Sequence, residues 1–300
     1  MERSHIVVGM PAHTTTQTQR LLRTLFGDYW LAENACAPAG AVAEMLGEYG
    51  VSVAAARAAL RRSAQKGMLT ASKSGRSTRY GLTEHGRSTL VEVWERIVGF
   101  GATGEAWEGR WTCVAFSVPE QQRDLRHRLR SRLRWLGFAP LYDGVWVCPG
   151  VRDQQARSVL AETRIGAATV FVGQEAGSGV DFGRALDAWD LDAVRVECER
   201  FVEETAELDR RVRAGLVAPV EALRSRTQLM VRWVSLVNDV PDLPPELLPG
   251  DWPAWEARRL WAAVYDGLRV PALYRVRQIV AEYAPELVDQ VEARSVEGPA

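Results

Sequence analysis

Lysine is nearly missing from this chain: of its 37 basic residues only Lys66 and Lys73 are lysines. The arginine bias runs from end to end, so the number of arginines says little about function and their placement says more. Cysteine and histidine are scarce as well, at four each. Cys36, Cys113, Cys148 and Cys198 are far apart, no CxxC pair occurs, and the histidines stand at no ligand spacing. That pattern excludes a zinc site and reads as reduced, buried thiols of a cytoplasmic protein. No segment reaches the ~18 consecutive apolar residues of a membrane span, so no membrane partner is expected. Residues 1–15 lack a basic stretch followed by an apolar core, and read as a disordered tail rather than a signal peptide. GxSxG elbows, HExxH helices, P-loops and Rossmann glycine fingerprints are absent too. No catalytic residue, no metal and no cofactor is therefore assigned.

The most informative absence is local. Between Val51 and Thr83 there is no acidic residue, while Arg57, Arg61, Arg62, Lys66, Lys73, Arg76 and Arg79 are basic. The net charge of -1 hides this imbalance. Residues 1–100 carry 12 basic and 8 acidic residues, and residues 237–300 carry 6 basic and 11 acidic. A basic front and an acidic back point to an anionic partner at the front.

What is present around that gap has the pattern of a winged helix-turn-helix over residues 16–101. Leu21, Leu22, Leu25 and Phe26 give a first helix over Gln17–Trp30, with Thr16 or Thr18 as its cap. Pro38 suits the first turn of a second helix, with Val42, Met45, Leu46 and Tyr49 on one face and Gly50 ending it. Ser52 caps a third helix. Val53, Ala56, Leu60 and Ala64 form its expected core stripe, and Ala54, Arg57, Ala58, Arg61 and Gln65 the opposite one. Met68–Ser72 and Thr78–Leu82 alternate like strands around Lys73–Ser77, giving a hairpin with a basic tip, and Thr83 caps a fourth helix to Phe100. Ser52, Arg57, Arg61, Arg62, Gln65, Lys73, Arg76 and Arg79 are the candidate DNA-binding residues. Arg57 and Arg61 would reach base edges, and Lys73, Arg76 and Arg79 phosphates. The bland alternative is a solvated helix face.

Gly101–Trp107 reads as a linker. Over residues 108–176 the order strand (Arg110–Ser117), helix (Pro119–Trp135), two strands around Asp143-Gly144, helix (Asp153–Arg164), strand (Ala167–Gly173) is the ferredoxin-like split βαβ pattern. The fold class expected is thus α+β. Arg123, Arg126, Arg130 and Arg134 share one helix face, compatible with DNA contact, with salt bridges at a dimer interface, or with solubility alone. Residues 181–300 turn helical. Arg232, Trp233, Trp252, Trp255 and Arg258 are the candidate effector-binding residues of this aromatic-rich stretch, with core packing as the alternative.

The strings LRTLFGDYW (Leu22–Trp30), GVSVAAARAALRRSAQKGML (Gly50–Leu69), GRWTCVAFSVPEQQRDLRHRLRSRLRWLGF (Gly109–Phe138), GVWVCPG (Gly144–Gly150) and LPPELLPGDWP (Leu243–Pro253) resemble the PaaX-like transcriptional regulators. The resemblance implies a homodimeric repressor of a catabolic operon that binds double-stranded DNA at a palindromic operator. It also implies release by an aryl acyl-CoA or aromatic acid effector. The central segment is similar as well to small metal-dependent nucleases of CRISPR systems, which place an aspartate where this chain has Ser117. A hydroxyl alone is a poor ligand for a hard metal ion, so that reading is disfavoured. An effector-independent DNA-binding protein is the other alternative.

Overall fold

The computed structural model describes residues 14–75, 77–100, 107–174, 186, 188–239 and 243–297. Of the tail expected over 1–15 and the linker expected over 101–107, residues 1–13 and 101–106 lie outside the described residues, as does Arg76, whereas Thr14 and Thr15 belong to the start of the first helix. The fold is α+β. In chain order come α1 (Thr15–Tyr29), β1 (Cys36–Pro38), α2 (Ala39–Gly47), α3 (Val53–Gln65), β2 (Leu69–Ser74), β3 (Ser77–Leu82) and α4 (Glu84–Gly99). Next are β4 (Arg110–Phe116), α5 (Arg123–Trp135), β5 (Ala139–Tyr142), β6 (Val145–Pro149), α6 (Asp153–Thr163) and β7 (Ala168–Gln174). The last helices are α7 (Leu191–Arg213), α8 (Pro219–Asp239), α9 (Ala254–Gly267) and α10 (Arg269–Tyr283), followed by a 3-10 helix, Pro285–Gln290.

Packing divides the chain into two compact units, one of Met1–Gly99, Val202–Ser235 and Arg258–Ala300, the other of Phe100–Phe201 and Leu236–Ala257. The sequence pattern suggests three consecutive segments instead. The difference arises because residues of the C-terminal helices share their core with the N-terminal region.

In the first unit, α1 starts earlier than its leucine pattern suggests. Thr14, rather than Thr16 or Thr18, is the cap: its hydroxyl accepts from the Gln17 amide at 3.2 Å, and the Gln17 side chain accepts from the Thr14 amide at 2.9 Å. This reciprocal capping box satisfies two donors that a bare helix end leaves unpaired. Pro38 does not sit inside α2. It ends the strand β1 and stands at the N-cap of α2, where its missing N–H costs nothing. Three residues are too few to show a strand's alternation, so β1 has no sequence signature. It pairs antiparallel with β3 in register Cys36↔Gly81, and β3 pairs in turn with β2, giving the order β1-β3-β2. The Thr83 hydroxyl caps α4 by accepting from the Gly86 amide at 2.9 Å. Gly86 is required there, since a Cβ would meet the Met68 carbonyl oxygen at 2.1 Å.

A buried charge joins this region to the later helices. Arg226 on α8 is fully buried, and so, nearly, is Asp28 at the end of α1. One Nη of Arg226 donates to Asp28 Oδ2 at 3.2 Å and the other to the Arg294 carbonyl at 2.5 Å, while Nε donates to the Tyr265 carbonyl at 3.2 Å. The guanidinium also lies 3.7 Å from the centre of the Tyr265 ring, and the Tyr265 hydroxyl donates to Asp28 Oδ1 at 2.7 Å. Burial raises the pKa of the Asp28 carboxyl against the pull of Arg226 and the Tyr265 hydroxyl, and burial likewise pushes the Tyr29 hydroxyl up to about 12. Arg294 and Glu292 donate their backbone amides to the Asp28 and Tyr29 carbonyls, so a segment beyond α10 covers the carbonyl end of α1. Trp233 stacks on Trp261 with ring centres 4.8 Å apart and donates its indole N–H to the Ile97 carbonyl.

In the second unit the sheet order is β5-β6-β4-β7, with every neighbouring pair antiparallel. Val114, Phe116, Leu129, Leu133, Phe138 and Trp146 fill the core it forms with α5 and α6. Trp111 and Val147 form a second, smaller cluster with Trp107, Trp189 and Leu247 packed on it.

None of the four cysteines forms a disulfide. Burial, with Glu197 and Glu199 alongside, pushes the Cys198 thiol up to about 12. Native protein should therefore expose only the half-buried Cys36 and Cys113 to Ellman's reagent, with Cys148 and Cys198 reacting once denaturant is added. Removing one member of the buried ion pair, as in Arg226→Ala, should cost ~3–5 kcal/mol of stability in chemical denaturation. Replacing both members with Asp28→Leu and Arg226→Met should cost less, and equal losses would show that packing, not charge, sets the value.

Candidate nucleic-acid interface

The local sequence dictates how α3 is held. Ser52 accepts from the Ala55 amide at 3.2 Å and starts the helix, and Gly67, at φ 70°, ends it with a conformation other residues rarely adopt. Ala56, Ala59, Leu60 and Ser63 are its buried arc. Gln19 on α1 braces that arc from the other side: its side-chain amide donates to the Ala59 carbonyl at 3.0 Å, and its oxygen accepts from the Ser63 hydroxyl at 3.0 Å.

The face turned outward is therefore fixed. Ser52, Ala54, Arg57, Arg61 and Gln65 are exposed, Ala58 and Arg62 half-buried. This is the outward stripe expected from the sequence, but the expected core stripe fails at two positions. Val53, placed by its spacing in the core, is 53% exposed, and Ala64 is only half-buried. The buried arc is centred on 56, 59, 60 and 63, and in so alanine-rich a helix the apolar periodicity is too shallow to separate the two stripes.

The β2–β3 hairpin follows directly. It is longer than expected: Lys73 and Ser74 belong to β2, and the last pair is Ser74↔Ser77. Lys73 is exposed. Arg79 is not. It is half-buried and ion-paired with Glu286, a partner some two hundred residues away that no local pattern reveals. Arg76 lies outside the described residues. The structure thus brings Arg57, Arg61 and Gln65 into one exposed row, leaves Lys73 exposed on the hairpin, and commits Arg79 elsewhere.

The arginine-rich α5 is different. Arg126 pairs with Glu120 at 3.1 Å and donates to the Val118 carbonyl at 2.6 Å. Arg130 pairs with Asp143 and Arg132 with Glu162, each at 2.6 Å, and Arg134 lies over the Trp146 ring. These arginines are engaged within their own unit.

Four of the five candidate effector residues are also engaged. Trp233 is core, Arg232 is ion-paired with Glu204, and Arg258 donates to the Val98 carbonyl at 3.1 Å. Trp252 is 3% exposed, with Arg195 over its ring, and Trp255 is half-buried. Among the described residues there is no cluster of three or more His, Cys, Asp or Glu side chains placed to hold a metal ion, and no helix long and apolar enough to cross a membrane.

Three family models match consecutive parts of the chain: PaaX-like protein over residues 17–86, PaaX protein central Cas2-like domain over 104–182, and PaaX-like protein C-terminal domain over 189–277. The chain is 24% identical to the Transcriptional repressor PaaX of Escherichia coli K12, over 90% of this chain and 84% of the relative. A solved structure, the Uncharacterized protein Rv0674 of Mycobacterium tuberculosis, superposes with a TM-score of 0.57 at 21% identity, covering 89% of this chain and 99% of that one. By sequence over nearly its whole length, this chain belongs to the PaaX-like family.

Proposed function

We propose that this protein is a DNA-binding transcriptional repressor whose reading head is a winged helix-turn-helix. In that reading α2 and α3 are the helix-turn-helix pair and β2–β3 the wing. The observation that carries it is the exposed row Arg57, Arg61 and Gln65 on a helix beside a basic hairpin, in a segment with no acidic residue. The three-stranded order β1-β3-β2 that anchors the hairpin supports it, as does a relative that bears the name of transcriptional repressor. Each α3 enters a major groove, where Arg57 and Arg61 meet guanine edges or phosphates and Gln65 is suited to adenine. Lys73, and Arg76 by its place in the sequence, hold the backbone and set position without specifying sequence. Arg62 and Arg79, both half-buried, contribute less, and Ser52 serves chiefly as the cap.

The second unit is read as a ferredoxin-like domain. Its strand–helix–strand–strand–helix–strand order and its sheet order β5-β6-β4-β7 support that. We assign it no nuclease activity. Ser117, just after β4, offers a hydroxyl where a hard metal needs carboxylate oxygens. A homodimer on a palindromic operator, released by an aryl acyl-CoA or aromatic acid, completes the proposal. An effector acts only if it binds the operator-competent and released arrangements unequally.

Binding should be measured on duplexes selected by the protein and on random duplex, across a salt series. Arg57→Ala should cost ~1–3 kcal/mol on selected DNA and relax the sequence preference. Lys73→Ala should weaken both alike and reduce the salt slope by about 1. Equal losses on both duplexes for Arg57→Ala would overturn its assignment. Thermal-shift titration with acyl-CoA thioesters and aromatic acids should raise the melting temperature and release bound DNA. Intact DNA binding with no response to either class would favour an effector-independent repressor.

A further inference from the structure

Val53 lies outside the buried arc of α3 and exposes more than half of its surface. It is the first residue of α3, 53% exposed, in a helix otherwise rich in alanine. A β-branched residue is a poorer helix former than alanine, and the buried arc of Ala56, Ala59, Leu60 and Ser63 excludes it from the core. Its neighbours along the helix supply the reason that packing does not. Val53, Arg57, Arg61 and Gln65 follow one another at intervals of four, and all four are exposed. The result is a single row with an apolar branch at its leading end, two guanidinium groups and an amide.

We infer that Val53 is a specificity-determining residue that reads the C5-methyl group of a thymine in the major groove. This rests on the proposal that α3 is the recognition helix. Three apolar carbons offered to a groove floor of donors and acceptors find one apolar partner there, the thymine methyl. Residues at the leading end of a recognition helix are the ones that approach base edges. Four residues of helix advance ~6 Å, about two base steps of ~3.4 Å, so the thymine lies within about two steps of the base read by Arg57. Ala54, exposed beside Val53, leaves room for that approach.

The test uses the full chain. Duplexes bound by the protein are selected from a random-sequence pool, and each thymine of the preferred sequence is replaced singly by deoxyuridine, which removes only the methyl group. At one thymine per half-site the substitution should weaken binding about three- to fivefold, the factor for one buried methyl group. Val53→Ala should lose the same factor on thymine DNA and no longer distinguish thymine from deoxyuridine there. Val53→Thr, which keeps one methyl branch, should retain part of the distinction. Affinity for random duplex at low salt should be unchanged in both variants, which also reports that they fold. If Val53→Ala still distinguishes thymine from deoxyuridine, or if the protein binds duplex without any sequence preference, this inference falls while DNA binding stands. If the wild-type protein binds no duplex at low salt, the recognition-helix reading falls and takes this inference with it.

Discussion

A guanidinium group shut away from water must be neutralised and must find an acceptor for its N–H groups, or the fold loses several kilocalories per mole. Arg226 meets that condition with groups from three distant parts of the chain: the Asp28 carboxylate, the Tyr265 carbonyl and ring, and the Arg294 carbonyl. None of these can move far without orphaning another. The arrangement is a specification as much as a source of stability, since an apolar core of the same volume would tolerate sliding and this one does not. It explains why α1 shares one compact unit with most of α8 and α9, although some two hundred residues separate it from them in sequence.

That constraint reaches α3 through ordinary packing. α1 is positioned at its end by Asp28, and one face of α1 holds α3 through Gln19. α2 is held by Arg275 of α10, which pairs with Glu48 at 2.8 Å, and by the Tyr49 hydroxyl, which donates to the Leu223 carbonyl at 3.0 Å. The rotation of α3 about its axis, and hence which side chains it offers outward, follows from these contacts. In a chain where arginine is everywhere, what distinguishes the outward row is the absence of carboxylates beside it. Along α5 the arginines meet Glu120, Asp143 and Glu162, whereas the segment holding Arg57 and Arg61 contains no carboxylate at all.

Local signals were readable in the sequence, and signals between distant residues were not. Ser52 and Thr83 cap the helices their hydroxyls suggest, and the glycines mark the turns, because capping and positive φ depend on a few neighbouring residues. Arg57, Arg61 and Gln65 fall on one face of α3 by their spacing, and the strand–helix order of the second unit follows from its apolar patterns. Cys36–Pro38 escaped because three residues carry no period, and Val53 escaped because alanine contributes too little contrast. Arg79 reads as exposed until Glu286 folds against it. The string FGDYW stands out in the sequence, but only the structure shows that its aspartate answers an arginine on α8.

The pairing of Glu292 and Arg294 with the carbonyl end of α1 has a consequence for synthesis. Helix α1 receives its last hydrogen bonds from residues synthesised some 260 positions after it. Contacts of such long sequence separation form slowly. The carbonyl end of α1 must wait, incompletely capped, until Glu292 and Arg294 emerge. During that interval its apolar surfaces lie open to chaperones and proteases. A transcript cut short before Glu292 would yield a chain in which α1 lacks its final partners, and quality control would meet it before any promoter did.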